Sequence, residues 1–250
     1  MKISSRELSR YSKQIILKNI GILGQKKIFS SRVLVVGVGG LGCPLSLYLA
    51  NTGVGNIGLV DNDKVEISNL NRQIIFNKKD IGKFKVIQAK KFLNKVNKKV
   101  KVNIYKDRLN EKNIKKILNN YDIICDCSDN FNTRYLLNDF CLNNKKILVS
   151  AAISKFEAHI FNFNFLKNIS CYRCFMPEIP EDENKCDADG ILPTVAGIAG
   201  TLQANEVVKS ILSKKNELIG KMIVFDTLNL NFRKIKLTRD ANCIMDCGKK

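Results

Sequence analysis

The chain has 250 residues, 45% apolar and 26% charged, the proportions of an ordinary globular protein with length enough for a sizeable core. No apolar run approaches the ~18 residues of a membrane helix, and the opening Met1–Gln14 has no apolar leader core, so neither a membrane span nor export is expected and the protein is read as cytoplasmic. The net charge of +19 invites a nucleic-acid partner, but Lys far outnumbers Arg, the excess is spread along the chain, and base-reading motifs are absent; nucleic acid is disfavoured, while a basic surface can still steer an acidic protein.

Residues 32–37 (Arg-Val-Leu-Val-Val-Gly) predict a buried strand running into a glycine-rich turn, and 42–52 predicts a helix. Residues 57–61 predict the next strand, ending in Asp61. After a polar loop, the spacing of Phe84, Ile87, Phe92 and Val96 predicts a helix over 83–96. Strand 100–105, helix 110–119, strand 121–126, helix 131–143 and strand 146–150 follow. Strands alternating with helices predict an α/β protein with a doubly wound, mostly parallel, Rossmann-like sheet. After residue 150 the pattern changes. Residues 156–166 alternate like an antiparallel strand, 177–190 form an acidic loop, an apolar helix spans 194–212, and strands near 221–226 and 231–237 add an antiparallel C-terminal part. There is no internal repeat, so 1–250 is read as one domain, with 1–150 as its nucleotide-binding half. The single His, His159, falls in the alternating stretch and reads as a strand residue, which argues against a His base or a His-rich metal site.

Gly37, Gly39 and Gly42 fit G-x-G-x-x-G between a strand and a helix, the context this motif needs. Glycine permits a tight turn and close approach to phosphate, and the helix N-terminus offers free N–H groups to the anion. Asp61, at the end of the second strand, suits ribose hydroxyls. The glycine motif by itself suggests NAD. Three further features favour ATP: the loop Asp61-Asn62-Asp63 leading to Ser68-Asn69-Leu70-Asn71-Arg72-Gln73, Lys85 at the start of the next helix, and Cys125-Asp126-Cys127-Ser128-Asp129-Asn130 at a strand end. All three can face one crevice at the carboxyl ends of the strands. Two cations and a carboxylate there suit a Mg²⁺-bound polyphosphate, and hydride transfer needs none of them. Taken singly, Lys85 also fits a solvated helix face and Arg72 a surface charge.

The chain resembles the ThiF/MoeB/HesA family, the adenylating enzymes of molybdopterin and thiamine-thiazole biosynthesis related to ubiquitin-activating enzymes. The resemblance covers nearly the whole chain. It is carried by Arg10-Tyr11-Ser12-Lys13-Gln14, Gly37-Val38-Gly39-Gly40-Leu41-Gly42, Ser68–Gln73, Asp126–Asn130, Cys171-Tyr172-Arg173-Cys174 and Gly200-Thr201-Leu202-Gln203-Ala204. It implies that ATP lies against the glycines, with Asp61 on the ribose, Asn69, Arg72 and Lys85 on the phosphates, Asp129 holding Mg²⁺, and Asp63 also in the nucleotide site. It also implies a homodimer in which a basic residue reaches into the partner's site. The family has arginine there and this chain has Lys13, which keeps the charge but loses the bidentate fork. The implied reaction joins AMP to the C-terminal glycine carboxylate of a ubiquitin-like sulfur-carrier protein ending in Gly-Gly, releasing pyrophosphate. The implied division makes 151–250 the carrier-binding and zinc half.

Nine cysteines in a chain with no export signal favour metal or catalytic roles over disulfides. Cys171 and Cys174, with Cys243 and Cys247, read as a tetrahedral structural Zn²⁺ site. The family has a second CxxC at the C-terminus, whereas this chain has CxxxC, so Asp246 competes with Cys247 as the fourth ligand. Cys186, in the acidic loop, matches a family cysteine that takes part in sulfur or acyl transfer. Cys43, Cys125, Cys127 and Cys141 read as small core residues. Of the two branches, the molybdopterin one is preferred and the thiazole one kept as the alternative. An NAD-dependent dehydrogenase, from the glycine motif alone, and a zinc protein binding nucleic acid, from charge alone, remain the rivals. No rhodanese-like extension is seen, so the sulfur donor is left open.

Overall fold

A computed structural model describes residues 3–167, 169–178, 190–213 and 217–247. The apolar run Arg32–Val36 forms β1, and its side chains alternate between two layers: Val33 and Val35 join one apolar cluster, Leu34 and Val36 the other. All four are buried, as a strand covered on both faces requires. On one side, β2 (Asn56–Val60) pairs parallel with β1, and β3 (Lys101–Tyr105) pairs parallel with β2. On the other side come β4 (Ile123–Asp126) and β5 (Ile147–Ser154), also parallel. The sheet then continues antiparallel through β6 (Glu157–Asn164), β7 (Lys221–Asp226) and β8 (Asn231–Lys236). The order β3-β2-β1-β4-β5-β6-β7-β8 makes one eight-stranded mixed sheet with a parallel core and antiparallel C-terminal strands.

Two helices precede β1 that the sequence reading did not anticipate, α1 (Ser5–Ile15) and α2 (Gly21–Ser30). A signal for the first was present. Ser4 and Glu7 form a capping box, the Ser4 hydroxyl accepting from Glu7 N and the Glu7 carboxylate accepting from Ser4 N. Next in the chain are α3 (Gly42–Thr52), α4 (Lys85–Val96), α5 (Glu111–Leu118), α6 (Phe131–Asn143), the short α7 (Tyr172–Phe175) and α8 (Pro193–Ile211). Buried residues of α3, α4 and α8 share a cluster with Val33 and Val35, and those of α5 and α6 share the one with Leu34 and Val36. Helices thus cover both faces, as a doubly wound sheet demands. The contact between α3 and α8 is close: a Cβ on Gly200 would stand 2.4 Å from the Leu41 carbonyl oxygen.

From β1 to β8 the predicted elements are observed within a few residues, the short α7 was not anticipated, and one strand is longer than predicted. β5 runs on to Ser154 rather than stopping at 150, because Ala151–Ser154 pair with Ile160–Glu157 of β6. His159 lies on β6 as expected, its Nε2 2.6 Å from Glu157 Oε1. Among the described residues, no helix is long and apolar enough to cross a membrane.

Candidate active site

The chain leaves β1 for β2 and β3 on one side, then returns to place β4 and β5 on the other. The loops after β1 and β4 therefore diverge, and a crevice opens at their carboxyl ends. Backbone hydrogen bonds hold the mouth of this crevice: Gly37 N donates to Val60 O, Cys127 N to Val36 O and Asp61 N to Tyr105 O.

The glycines of the first loop serve different ends. Gly37 has φ +91°, and a Cβ on it would stand 2.6 Å from the Cys127 carbonyl oxygen; on Gly42 it would stand 2.0 Å from the Gly37 carbonyl oxygen. Both are needed for the turn to close against the β4 loop and enter α3. Gly40 faces Ala196 and Arg72, at 3.1 and 3.5 Å from an added Cβ. Gly39 is open, with only Gln73 Nε2 near, at 3.8 Å. The fold does not require glycine at position 39, and the free space there suits a ligand close to the backbone.

Asp61 clasps this turn. Its Oδ2 accepts from Val38 N at 2.7 Å and its Oδ1 from Asp63 N at 2.8 Å. Burial pushes the Asp61 carboxyl above its usual range, opposed by the Val38 N–H and by the Lys85 charge. Lys85 is buried, with its side chain only 8% exposed, and Nζ lies 2.8 Å from Asp63 Oδ2. A solvated helix face is therefore not the setting of Lys85. Its ammonium is paired with a carboxylate that is itself exposed. Asn69 is buried in the short 3-10 turn Ile67–Asn69, where its Oδ1 accepts from Glu66 N. Arg72 is half-buried, its guanidinium donating to Ser68 O at 2.9 Å. Asp129 is exposed in the loop after β4, which touches the glycine turn at Gly37. An exposed carboxylate has the oxygen chemistry Mg²⁺ prefers.

Several supporting residues were not foreseen. Asp126, fully buried at the end of β4, accepts from Ser128 N, Ser128 Oγ and Ser150 Oγ and lies 3.5 Å from Arg134 Nε. Arg134 also donates to Ser128 O, tying α6 to the loop that carries Asp129. Gln203, fully buried on α8, donates to Asp126 O and Val149 O and accepts from the Cys127 thiol. An arginine within the apolar stretch of α6, and a glutamine in that of α8, were the available signals.

The motif around Lys13 divides by face. Tyr11 is buried and accepts from Asn97 Nδ2, and Gln14 donates to Thr52 O, so these two dock α1. Lys13 itself is exposed. Exposed apolar side chains of Ile16, Leu17, Ile22 and Leu23 lie on the α1–α2 segment. Cys186 lies outside the described residues, as does most of its acidic loop.

Apart from this crevice, Cys171, Cys174, Cys243 and Cys247 bring their four sulfurs within 4.8 Å of one another. Pairs lie 4.0, 3.6 and 3.3 Å apart for Cys171–Cys174, Cys171–Cys243 and Cys174–Cys247. Four sulfurs at ~2.3 Å from a tetrahedral Zn²⁺ stand about 3.8 Å apart, so the cluster fits that ion. The extra residue of the CxxxC is absorbed at Asp246, which takes φ +48° while its N–H donates to Cys243 O. By contrast, Cys43, Cys125, Cys127 and Cys141 are buried core thiols, and burial pushes all four up and keeps them protonated.

Residues 11–245 match the profile of the ThiF family. Among known proteins, the chain is 43% identical over 246 residues to "Adenylyltransferase and sulfurtransferase MOCS3" of Culex quinquefasciatus, covering 97% of this chain and 56% of that protein. The protein of the same name from Dictyostelium discoideum is 39% identical over 251 residues, covering 99% and 59%. The chain thus spans little more than half the length of these relatives. Among solved structures, E. coli MccB with ATP superposes with a TM-score of 0.83 at 26% identity, covering 94% of this chain and 74% of that one.

Proposed function

The chain belongs to the ThiF family, and we propose that it adenylylates the C-terminal glycine carboxylate of a ubiquitin-like sulfur-carrier protein in molybdopterin synthesis, consuming ATP and releasing pyrophosphate. The observation that carries this reading is the open glycine turn at the sheet's switch point, with buried Lys85 and half-buried Arg72 beside it and Asp61 clasping it. Hydride transfer itself does not require two cations and a carboxylate around the turn. The named activity of the MOCS3 relatives, and the ATP in the MccB structure, agree with it.

The chemistry follows from charge. A carboxylate is a poor acyl donor because its oxygen leaves badly, and joining it to AMP supplies a good leaving group. The carrier carboxylate attacks the α-phosphorus, and the β,γ-phosphates depart. Both partners are anions, so the task of the protein is to neutralise charge and align the attack. In this reading the Gly37–Gly42 turn receives the phosphates, Asp61 and Asp63 hold the ribose side, and Asn69, Arg72 and Lys85 bind phosphate oxygens. Asp129 would hold Mg²⁺, which supplies further neutralisation when bound. No protein nucleophile is needed for this step. Cys186 is assigned to later sulfur transfer, so Cys186→Ala spares adenylylation.

We assign Cys171, Cys174, Cys243 and Cys247 to a structural Zn²⁺, with Cys247 rather than Asp246 as the fourth ligand, since a fourth thiolate closes the site. The assembly is read as a homodimer in which Lys13 reaches the partner's phosphates, working in the cytoplasm. Residues 1–150 form the nucleotide-binding half and 151–250 the carrier and zinc half.

The test is ATP–pyrophosphate exchange with each candidate carrier. Exchange is expected with the molybdopterin-branch carrier and not without a carrier. Asp129→Ala is expected to abolish it while leaving the thermal midpoint unchanged. Exchange with the thiazole-branch carrier alone would transfer the protein to that pathway. Exchange with neither, together with tight nicotinamide binding, would overturn the reading.

A further inference from the structure

The positive charge is uneven once the fold is known. Residues 78–116 hold fifteen Lys and Arg against three Asp and Glu, so they account for +12 of the net +19. Within them, residues 90–101 hold six Lys and no acid, across the end of α4, the turn that follows and the start of β3. In sequence these lysines are interleaved with other residues and form no long basic block. The fold gathers them: Leu93, Val100 and Val102 turn inward and are buried, while Lys91, Lys95, Lys98, Lys99 and Lys101 stay exposed. β3 is an edge strand, so no further strand covers this side of the sheet. Helix α1 brings a cation from far away in the chain, the Arg10 guanidinium donating to Val96 O at 2.9 Å. None of these six exposed cations forms an ion pair among the described residues. The nearby Glu7 carboxylate is engaged by the Ser4 N–H and hydroxyl. One lysine in the last turn of α4 complements the helix dipole; six unpaired cations exceed that need and repel one another.

We propose that this surface, built from α4, the start of β3 and Arg10, binds the phosphate backbone of a nucleic-acid duplex without reading its sequence. What the surface lacks selects the partner. A protein partner asks for an apolar centre, and from α4 to α5 no large apolar side chain is exposed. Single strands are held by stacking bases on exposed aromatic rings, and none is exposed there. A duplex backbone asks only for cations on an accessible surface, and it relieves their mutual repulsion. The patch lies at the amino end of β3, whereas the crevice opens at the carboxyl ends of the strands. A bound duplex therefore leaves the crevice open.

The experiment is a fluorescence-anisotropy titration of the full chain against short RNA and DNA duplexes of one sequence, with polyglutamate as a third probe. Both duplexes are expected to bind, the tighter one identifying the natural source, and a scrambled sequence binds equally well. Affinity is expected to fall roughly a hundredfold or more between about 50 and 200 mM salt, as counterions return to the phosphates. Two triple variants remove the same charge from different places. Lys91→Gln, Lys95→Gln and Lys99→Gln together are expected to raise the duplex Kd roughly tenfold or more and to flatten the salt slope by about 2 to 3. Lys167→Gln, Lys234→Gln and Lys236→Gln together, in the other half of the chain, are expected to leave both nearly unchanged. The thermal midpoint of the first triple variant at low salt is expected to equal or exceed that of wild type, and its pyrophosphate exchange to persist, so lost binding is not lost folding. Equal losses in the two triple variants would show a response to net charge alone and overturn the proposal. Polyglutamate bound as tightly as the duplexes would assign the surface to an acidic protein instead, and a wild type that binds neither duplex overturns the proposal outright.

Discussion

Single atoms decide much of the crevice. Gly39 and Gly42 sit in the same motif, yet an added methyl group meets open space at one and a carbonyl oxygen at 2.0 Å at the other. Gly42→Ala is therefore expected to cost at least ~3 kcal/mol of folding stability, read as a lowered urea midpoint. Gly39→Ala is expected to fold within about 1 kcal/mol of wild type and to lose ATP affinity roughly tenfold or more, because the methyl group occupies space the phosphates need. Equal stability losses in the two variants would show that Gly39 is structural too. Lys85 makes a related point. A lysine buried beside one exposed carboxylate is not the solvated setting of a surface helix, and in the proposed reading it faces the phosphates.

At the scale of elements, the last strand leads to the tail that returns to α7. Cys243 and Cys247 meet Cys171 and Cys174 there, and the left-handed residue Asp246 lets a CxxxC present its second thiol to the cluster. If the cluster holds Zn²⁺, Cys174→Ser removes the metal from the purified protein, as read by elemental analysis. It is also expected to lower the thermal midpoint by ~5 °C or more, since metal binding contributes to folding. Pyrophosphate exchange measured well below that midpoint persists, because the cluster is separate from the crevice. Loss of exchange with the fold intact would give the cluster a part in the chemistry. On α6, the buried Asp126–Arg134 pair acts at the same scale, joining a helix to the loop that carries Asp129.

For the molecule as a whole, α1 is docked through Tyr11 and Gln14, leaving Lys13 and the apolar Ile16, Leu17, Ile22 and Leu23 exposed. If these residues meet a second copy, Lys13→Ala and Asp129→Ala chains are each inactive in exchange. Mixed, they recover activity, because one of the two sites in a mixed dimer is intact. No recovery on mixing, with subunit exchange verified, would place Lys13 outside the partner's site. Lys13→Arg is expected to tighten ATP binding by restoring the bidentate fork.

From its sequence alone this protein was legible wherever the information is local. Apolar runs punctuated by turn residues placed β1 to β5 and the helices between them, and the ordered motifs carried the family. The two N-terminal helices escaped, although Ser4 and Glu7 marked the first, because short amphipathic helices owe their stability mainly to packing rather than to their own spacing. Tertiary structure alone decided the rest. It separated Gly39 from Gly42, buried Lys85, extended β5 to meet β6, and brought Cys247 to the cluster. Each of these depends on which distant segment arrives within a few ångströms. Periodicity reports which face of an element is apolar and is silent about what will cover it.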